Sequence, residues 1–307
     1  MKIFDAHCDV LLKMWRDRDL SFRNGRNLHI HLDHLQAAGS KIQCFALFIP
    51  EEVPVLGRFQ AALDMVDIFY ERILARYQNL KLIRSKKEIS ELKDHEIGAV
   101  LTLEGCDAID ADIGKLRNLF RLGVTSVGLT WNHANFCADG VEESRGAGLT
   151  DFGRTVVREN NKHRVWTDVS HLCESAFWDA MEEAEFPIAS HSNAKSLCNH
   201  QRNLNDQQIR ALLEKDGIMG MVFKSDFLAS GGEASIDDVL RHIEHICELG
   251  GEKQIGFGSD FDGIDDPASG LENYGKYPGL IEALLKRYSE ETVKGFCFEN
   301  FVSHYPR

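Results

Sequence analysis

KIFDAHCD, residues 2–9, is a short apolar strand that runs straight into a histidine and an aspartate two places apart. In extended chain, residues two apart point to the same side, so His7 and Asp9 can grip one ion together. The same arrangement recurs along the chain as short apolar runs, most of them closing on a polar group suited to metal binding or acid/base work. The candidate strands are Lys2–Ala6, Ile42–Ile49, Gly98–Leu103, Thr125–Leu129, Val165–Val169, Pro187–Ser190, Ile218–Val222 and Gln254–Gly258. Several are near-continuous apolar runs, as strands buried on both faces are. Glu104 follows the third, His171 the fifth, His191 the sixth and Asp260 the eighth.

Helical patterns separate the strands. In Ile113–Leu122 the apolar residues Ile113, Leu116, Leu119 and Phe120 fall three and four apart. Asn205, with Gln208 three places on, reads as a capping box opening a helix that buries Ile209, Leu212 and Leu213. Val239, Leu240, Ile243, Ile246 and Leu249 form another stripe, ended by Gly250–Gly251. Strands alternating with helices predict either a closed barrel or an open doubly wound sheet. The polar strand ends favour the barrel, because there all C-terminal strand ends converge on one mouth. The reading is therefore α/β: a (β/α)₈ TIM-type barrel, one hydrolase domain over residues 1–307. Ser230–Gly232 and Asp265–Pro278 read as loops within it.

The composition is that of an ordinary globular chain, 43% hydrophobic and 27% charged. A net charge of -13 without a basic run disfavours nucleic-acid binding. Asp5, His7 and Asp9 interrupt the N-terminus before an apolar signal stretch of roughly 7–15 residues could form. No apolar run reaches the roughly 20 residues that span a membrane. A cytoplasmic protein without membrane attachment is the expectation. The eight cysteines are scattered without a C-x-x-C and read as free, mostly buried thiols.

Ligands can be counted from the strand ends. His7, Asp9, Glu104 and a hydroxide serve one metal ion; His171, His191, Glu104 and the same hydroxide serve a second. Each ion reaches four ligands of the nitrogen and oxygen kind, which suits zinc. Two zinc ions per chain would balance Asp9, Glu104, hydroxide and ionised Asp260, and a partly buried site has to be near neutral. Other histidines read differently. His29, His31 and His34 mark the start of a surface helix, and His242 and His245 lie on a solvated helix face. No phosphate-loop or dinucleotide glycine pattern occurs.

The segments FDAHCD (4–9), VLTLEG (100–105), GVTSVGLTWN (123–132), TDVSH (167–171), ASHSNAKSLCNHQRN (189–203) and IGFGSDFDG (255–263) carry a family likeness. Across nearly the whole chain the sequence resembles the membrane (renal) dipeptidase family of zinc peptidases, within the amidohydrolase-like barrels. The resemblance implies that His7 and Asp9 hold one zinc, His171 and His191 the other, and Glu104 bridges them. It places the catalytic aspartate on Asp260 and the arginine that receives the substrate carboxylate on Arg202, eleven residues after His191. One departure concerns a histidine that mammalian members carry directly after the Leu-Thr of the fourth strand, where it binds the scissile carbonyl. Here Trp131 stands in that place, and His133 is the candidate substitute.

The implied function is a binuclear zinc dipeptidase that uses a metal-bridging hydroxide on dipeptides with a free C-terminal carboxylate. D-residues at the C-terminal position are tolerated in the family, and a homodimer is compatible with it. The alternatives are another metal hydrolase of the same barrels (a lactonase, phosphoesterase or deaminase) and a non-catalytic binding protein. Arg202 separates the first of these, since a lactone or an aminated base has no terminal carboxylate to read.

Overall fold

The computed structural model describes residues 1–307. Nine parallel strands form it: β1 (Ile3–Asp5), β2 (Ser40–Phe48), β3 (Leu80–Leu82), β4 (Ile97–Glu104), β5 (Val124–Gly128), β6 (Trp166–Asp168), β7 (Pro187–Ala189), β8 (Ile218–Met221) and β9 (Ile255–Phe257). Eight of them close a ring. β2 pairs β4 directly, from Ile42↔Gly98 to Phe48↔Glu104, and β9 returns to β1 through Asp5↔Phe257. The remaining strand, β3, lies outside the ring. It pairs Ile97–Ala99 at the start of β4, and β5 takes the same strand over from Leu101. Helices cover the outside, as the crossover connections of a parallel sheet require. No helix is long and apolar enough to cross a membrane.

Two apolar clusters hold the layers. One lies between ring and helices. The other joins Phe4 of β1, Ile42 of β2, Val100 of β4, Trp166 of β6, Ile188 of β7 and Ile218 of β8. Side chains from strands all around a ring can meet only inside it, so this second cluster fills the barrel. The C-terminal segment contributes two more plugs, Phe301 stacked on Phe4 at 4.8 Å and Tyr305 against Trp166 at 4.7 Å. With the interior packed, only the rim at the C-terminal strand ends remains for chemistry.

The seam between first and last strands is held by a buried carboxylate. Asp5 Oδ1 accepts the backbone N–H groups of His7 (3.2 Å) and Ser259 (3.0 Å), and its Oδ2 accepts the Tyr277 hydroxyl at 2.9 Å. Burial pushes the Asp5 carboxyl up to about 6, with Ser259, His7 and Tyr277 opposing. Between the ordinary value near 4 and about 6 the folded state binds the extra proton. The cost of burying the charge therefore enters as pH rises through that window. Tyr277→Phe removes a donor to this charge. It is expected to cost about 1.5–3 kcal/mol at pH 7.5, where Asp5 is ionised, and about 0.5–1.5 kcal/mol at pH 5, where it is protonated. Urea unfolding of chelator-stripped wild type and variant at the two pH values measures this, and equal losses at both would remove Asp5 from the account.

Several sequence expectations meet their structure here. Asn205 caps the helix Asp206–Glu214 with the full reciprocal box to Gln208. His31 caps Leu32–Ala38, its ring accepting the His34 N–H at 3.3 Å. All eight cysteines are free, and all but Cys247 are buried. His242 corrects the expectation of a solvated face. It is 1% exposed, accepts the Ala194 N–H at Nδ1 (3.0 Å) and faces the Leu228 carbonyl with Nε2 (3.0 Å). The reason is its spacing: three residues after Val239 and four before Ile246, it lies on the apolar stripe of Ile236–Glu248. His245, one turn nearer the edge, pairs Asp206 at 2.8 Å.

Candidate metal centre

Every candidate ligand stands at or just past the C-terminal end of a ring strand. Glu104 is the last residue of β4. His7 and Asp9 follow β1, His171 follows β6, His191 follows β7 and Asp260 follows β9. The chain turns sharply at two of these points: His171 and Asp260 have φ of 69° and 62°. Left-handed backbone at non-glycine residues is uncommon and concentrates at functional sites. Close backbone approach supports the rim, because an added Cβ at Gly258 would overlap the Ser190 carbonyl oxygen.

The ring geometry brings the six groups together. His7 Nε2 lies 3.3 Å from Asp9 Oδ2, 3.3 Å from Glu104 Oε2 and 3.8 Å from Asp260 Oδ1. Glu104 turns its other oxygen, Oε1, to His171 Nε2 (3.1 Å) and His191 Nε2 (3.8 Å). Three overlapping groups of donor atoms converge within 4.8 Å: His7–Asp9–Glu104, Glu104–His171–His191 and His7–His191–Asp260. Glu104 thus faces two half-sites with its two oxygens. Asp260 sits between His7 and His191, a position open both to ligation and to proton transfer.

Hydrogen bonding on the far side of each ring fixes which nitrogen is free. His171 Nδ1 meets Asn132 Oδ1 at 2.7 Å, and the Asn132 amide nitrogen donates to Glu142 Oε1 at 3.1 Å, which sets the amide's orientation. His191 Nδ1 meets Ser190 Oγ at 2.8 Å, and that hydroxyl donates to Asp168 Oδ2. Both Nδ1 atoms therefore carry the proton, and both Nε2 atoms offer a lone pair. Those two Nε2 atoms face each other at 2.8 Å. Lone pairs at that distance repel unless a cation lies against them.

The charges point the same way. Burial holds His171 near 3 and His191 well below the usual histidine range, so both are neutral. Burial, together with the Asp9 and Glu104 charges, pushes Asp260 well above the usual carboxylate range, against the pull of His7. His7 is held well above the usual histidine range, since Glu104 and Asp9 outweigh the burial that would discharge it. Its Nε2 and Asp9 Oδ1 are buried without a hydrogen-bond partner. Crowded buried carboxylates, orphaned polar atoms and opposed imidazole lone pairs are the donor set of a cation site.

Beside this cluster lie two cavities of about 240 and 230 Å³ that share the His171 wall. Asp9, Glu104, Asp260 and Trp131 line the first, and Arg202 lines the second. Arg202 is 5% exposed, donates from Nη2 to the His191 carbonyl at 3.2 Å and lies over the Phe227 ring. It forms no ion pair with any carboxylate. His133 is not brought to the site. Its ring is half exposed and turns to Glu51 (3.5 Å) and Glu142 (3.8 Å). Trp131 occupies the rim instead, 5.2 Å from the Phe48 ring and 6.2 Å from His171.

Residue-type reasoning missed the groups behind the ligands. Asn132, Asp168 and Ser190 all fall inside the motifs quoted above. Only Ser190 stands next to a ligand in sequence, and a hydrogen-bond partner across two strands leaves no spacing rule.

A sequence model described as membrane dipeptidase, peptidase family M19, matches residues 1–303. An uncharacterized protein of the pqqA 5' region of Klebsiella pneumoniae is 34% identical over 78% of this chain and 95% of its own length. An uncharacterized dipeptidase of Schizosaccharomyces pombe is 30% identical over 98% of this chain and 79% of its own. Among solved structures, a metallo peptidase from Rhodobacter sphaeroides liganded with a phosphinate mimic of the dipeptide L-Ala-D-Ala superposes with a TM-score of 0.94. It is 26% identical, over 100% of this chain and 99% of that one.

Proposed function

Because this chain belongs to the membrane dipeptidase family, peptidase family M19, we propose that it hydrolyses dipeptides with a free C-terminal carboxylate at a pair of zinc ions. His7, Asp9 and Glu104 would hold one ion, and Glu104, His171 and His191 the other. Three imidazoles among carboxylates favour zinc over magnesium or calcium, which take oxygen ligands. Bound there, zinc supplies Lewis-acid polarisation of the scissile carbonyl and an ionised water at neutral pH.

The observation that carries the dipeptidase reading is Arg202. A buried guanidinium with no carboxylate partner is a costly arrangement that an arriving anion relieves. Its planar fork matches a carboxylate, and it opens into the cavity that meets the metal cluster at His171. The carboxylate-rich first cavity suits the substrate ammonium at the other end. Reading both termini limits the substrate to two residues. Asp260, within reach of His7 and His191 and ionised once bound cations offset Asp9 and Glu104, would accept the proton of the attacking water and return it to the leaving nitrogen. The phosphinate dipeptide mimic in the Rhodobacter protein supports a substrate of this length and a D-residue at its C-terminal end.

Elemental analysis and a dipeptide panel test the proposal. Purified protein is expected to hold about two zinc ions per chain, and chelation to abolish hydrolysis of the panel. Glu104→Gln is expected to weaken both ions, because one carboxylate faces both half-sites. A fully active enzyme holding a single tight ion would end the binuclear scheme.

A further inference from the structure

We propose that Ser190 is a positioning residue that relays the charge of Asp168 to His191, fixing the tautomer in which His191 can ligate a metal. The inference rests on the metal-centre reading above. Asp168 (7% exposed), Ser190 (3%) and His191 (1%) form a buried chain behind the half-site of Glu104, His171 and His191. The two Asp168 oxygens have separate duties. Oδ1 accepts the backbone N–H groups of Ser170 and Ser190, both at 3.0 Å, tying the ends of β6 and β7 together. Oδ2 accepts the Ser190 hydroxyl alone.

A hydroxyl has one proton to give. With that proton committed to Asp168, Ser190 Oγ can only accept from His191 Nδ1, 2.8 Å away. His191 then carries its proton on Nδ1 and presents a bare Nε2 to Glu104 and His171. The carboxylate is the reason the hydroxyl does not turn round. Were Oδ2 absent, Ser190 could donate to Nδ1 as readily as accept from it, and a proton on Nε2 would block ligation. A second tether holds the backbone that carries the ring: the His191 backbone N–H donates to Ser170 Oγ at 3.2 Å. The two histidines of this half-site are therefore oriented by different chemistry. His171 leans on an amide, Asn132, and His191 on a carboxyl group reached through a hydroxyl. Groups behind metal-bound histidines set ligand orientation and basicity, and their loss typically weakens metal binding 10–100-fold.

The test measures the affinity of each zinc ion by competition with a chromophoric chelator, in wild type, Ser190→Ala, Asp168→Asn and the double variant. Ser190→Ala is expected to weaken one ion by about 10–100-fold and leave the other at its wild-type affinity. Asp168→Asn, which keeps a carbonyl oxygen for the backbone donors, is expected to weaken the same ion. The double variant should lose no more than the larger single loss, because the two residues act in series. Ser190→Thr, which restores the hydroxyl, should recover binding. Equal weakening of both ions, additive losses in the double variant, or wild-type affinities in Ser190→Ala would each overturn the relay. A wild-type protein that takes up no zinc would overturn the metal-centre reading and the relay with it.

Discussion

Asp260→Asn is expected to lower kcat by about 10²–10⁴-fold while the protein keeps the two zinc ions proposed for its centre. The substitution preserves shape, and asparagine tolerates the left-handed backbone that Asp260 adopts at φ 62°. It removes only the ability to take and return a proton. Asp260 is placed for that work: its Oδ1 lies 3.8 Å from His7 Nε2 and its carboxylate reaches toward both half-sites. The same placement permits ligation, so kcat and zinc content have to be read on one preparation. A variant that lost zinc and recovered its activity when zinc was added would make Asp260 a ligand and leave the proton-transfer role without a residue.

Arg202→Ala is expected to reduce kcat/KM for dipeptides by about 10–150-fold, the equivalent of roughly 1.5–3 kcal/mol for a hydrogen bond to a charged group. Arg202 also supports the His191 carbonyl and packs on Phe227, so truncation disturbs more than a substrate contact. Dipeptide amides separate the two effects. They lack the carboxylate but pass through the same metal centre. They should be poor substrates of wild type, and the variant should handle them nearly as well as wild type does. If acids and amides lost equally in kcat/KM, Arg202 would be supporting His191 and not reading a carboxylate. The dipeptidase proposal would then reduce to metal-dependent hydrolysis without defined length.

The ring and its rim were readable in the residues because several strands are near-continuous apolar runs and most are followed by a polar group suited to metal binding or acid/base work. β3 was not readable. Three residues with only Leu80 fully buried give no run to detect, and its partner, the start of β4, looks the same with or without it. His242 was misread because polarity was taken as a sign of exposure, whereas its spacing from Val239 and Ile246 already placed it inside. The ligand types at the strand ends were legible one by one. Their convergence was inferred from a closed barrel; what could not be read is that the ring shuts between β2 and β4 across an inserted strand. Asn132, Asp168 and Ser190 are polar residues with unremarkable neighbours, and only the folded distances reveal which ring nitrogen each one holds. That Trp131 stands directly after Leu129–Thr130 could be read, but its consequence could not. Trp131 stays on the rim, and His133 turns away to Glu51 and Glu142.

The seam carries a consequence for assembly in time. Asp5 and Ser259 are bonded across 254 positions of chain, and Cys8 bridges Phe261 beside them. Contacts so distant in sequence have to overcome a large loop-closure entropy, and folds dominated by such contacts form slowly. His7 and Asp9 on one flank of that seam and Asp260 on the other cannot meet until it shuts. The His7–Asp9–Glu104 and Glu104–His171–His191 groups need only chain made before the last strand. A nascent chain can therefore collect both three-residue groups early, while Asp260 has to wait for the final strand to dock.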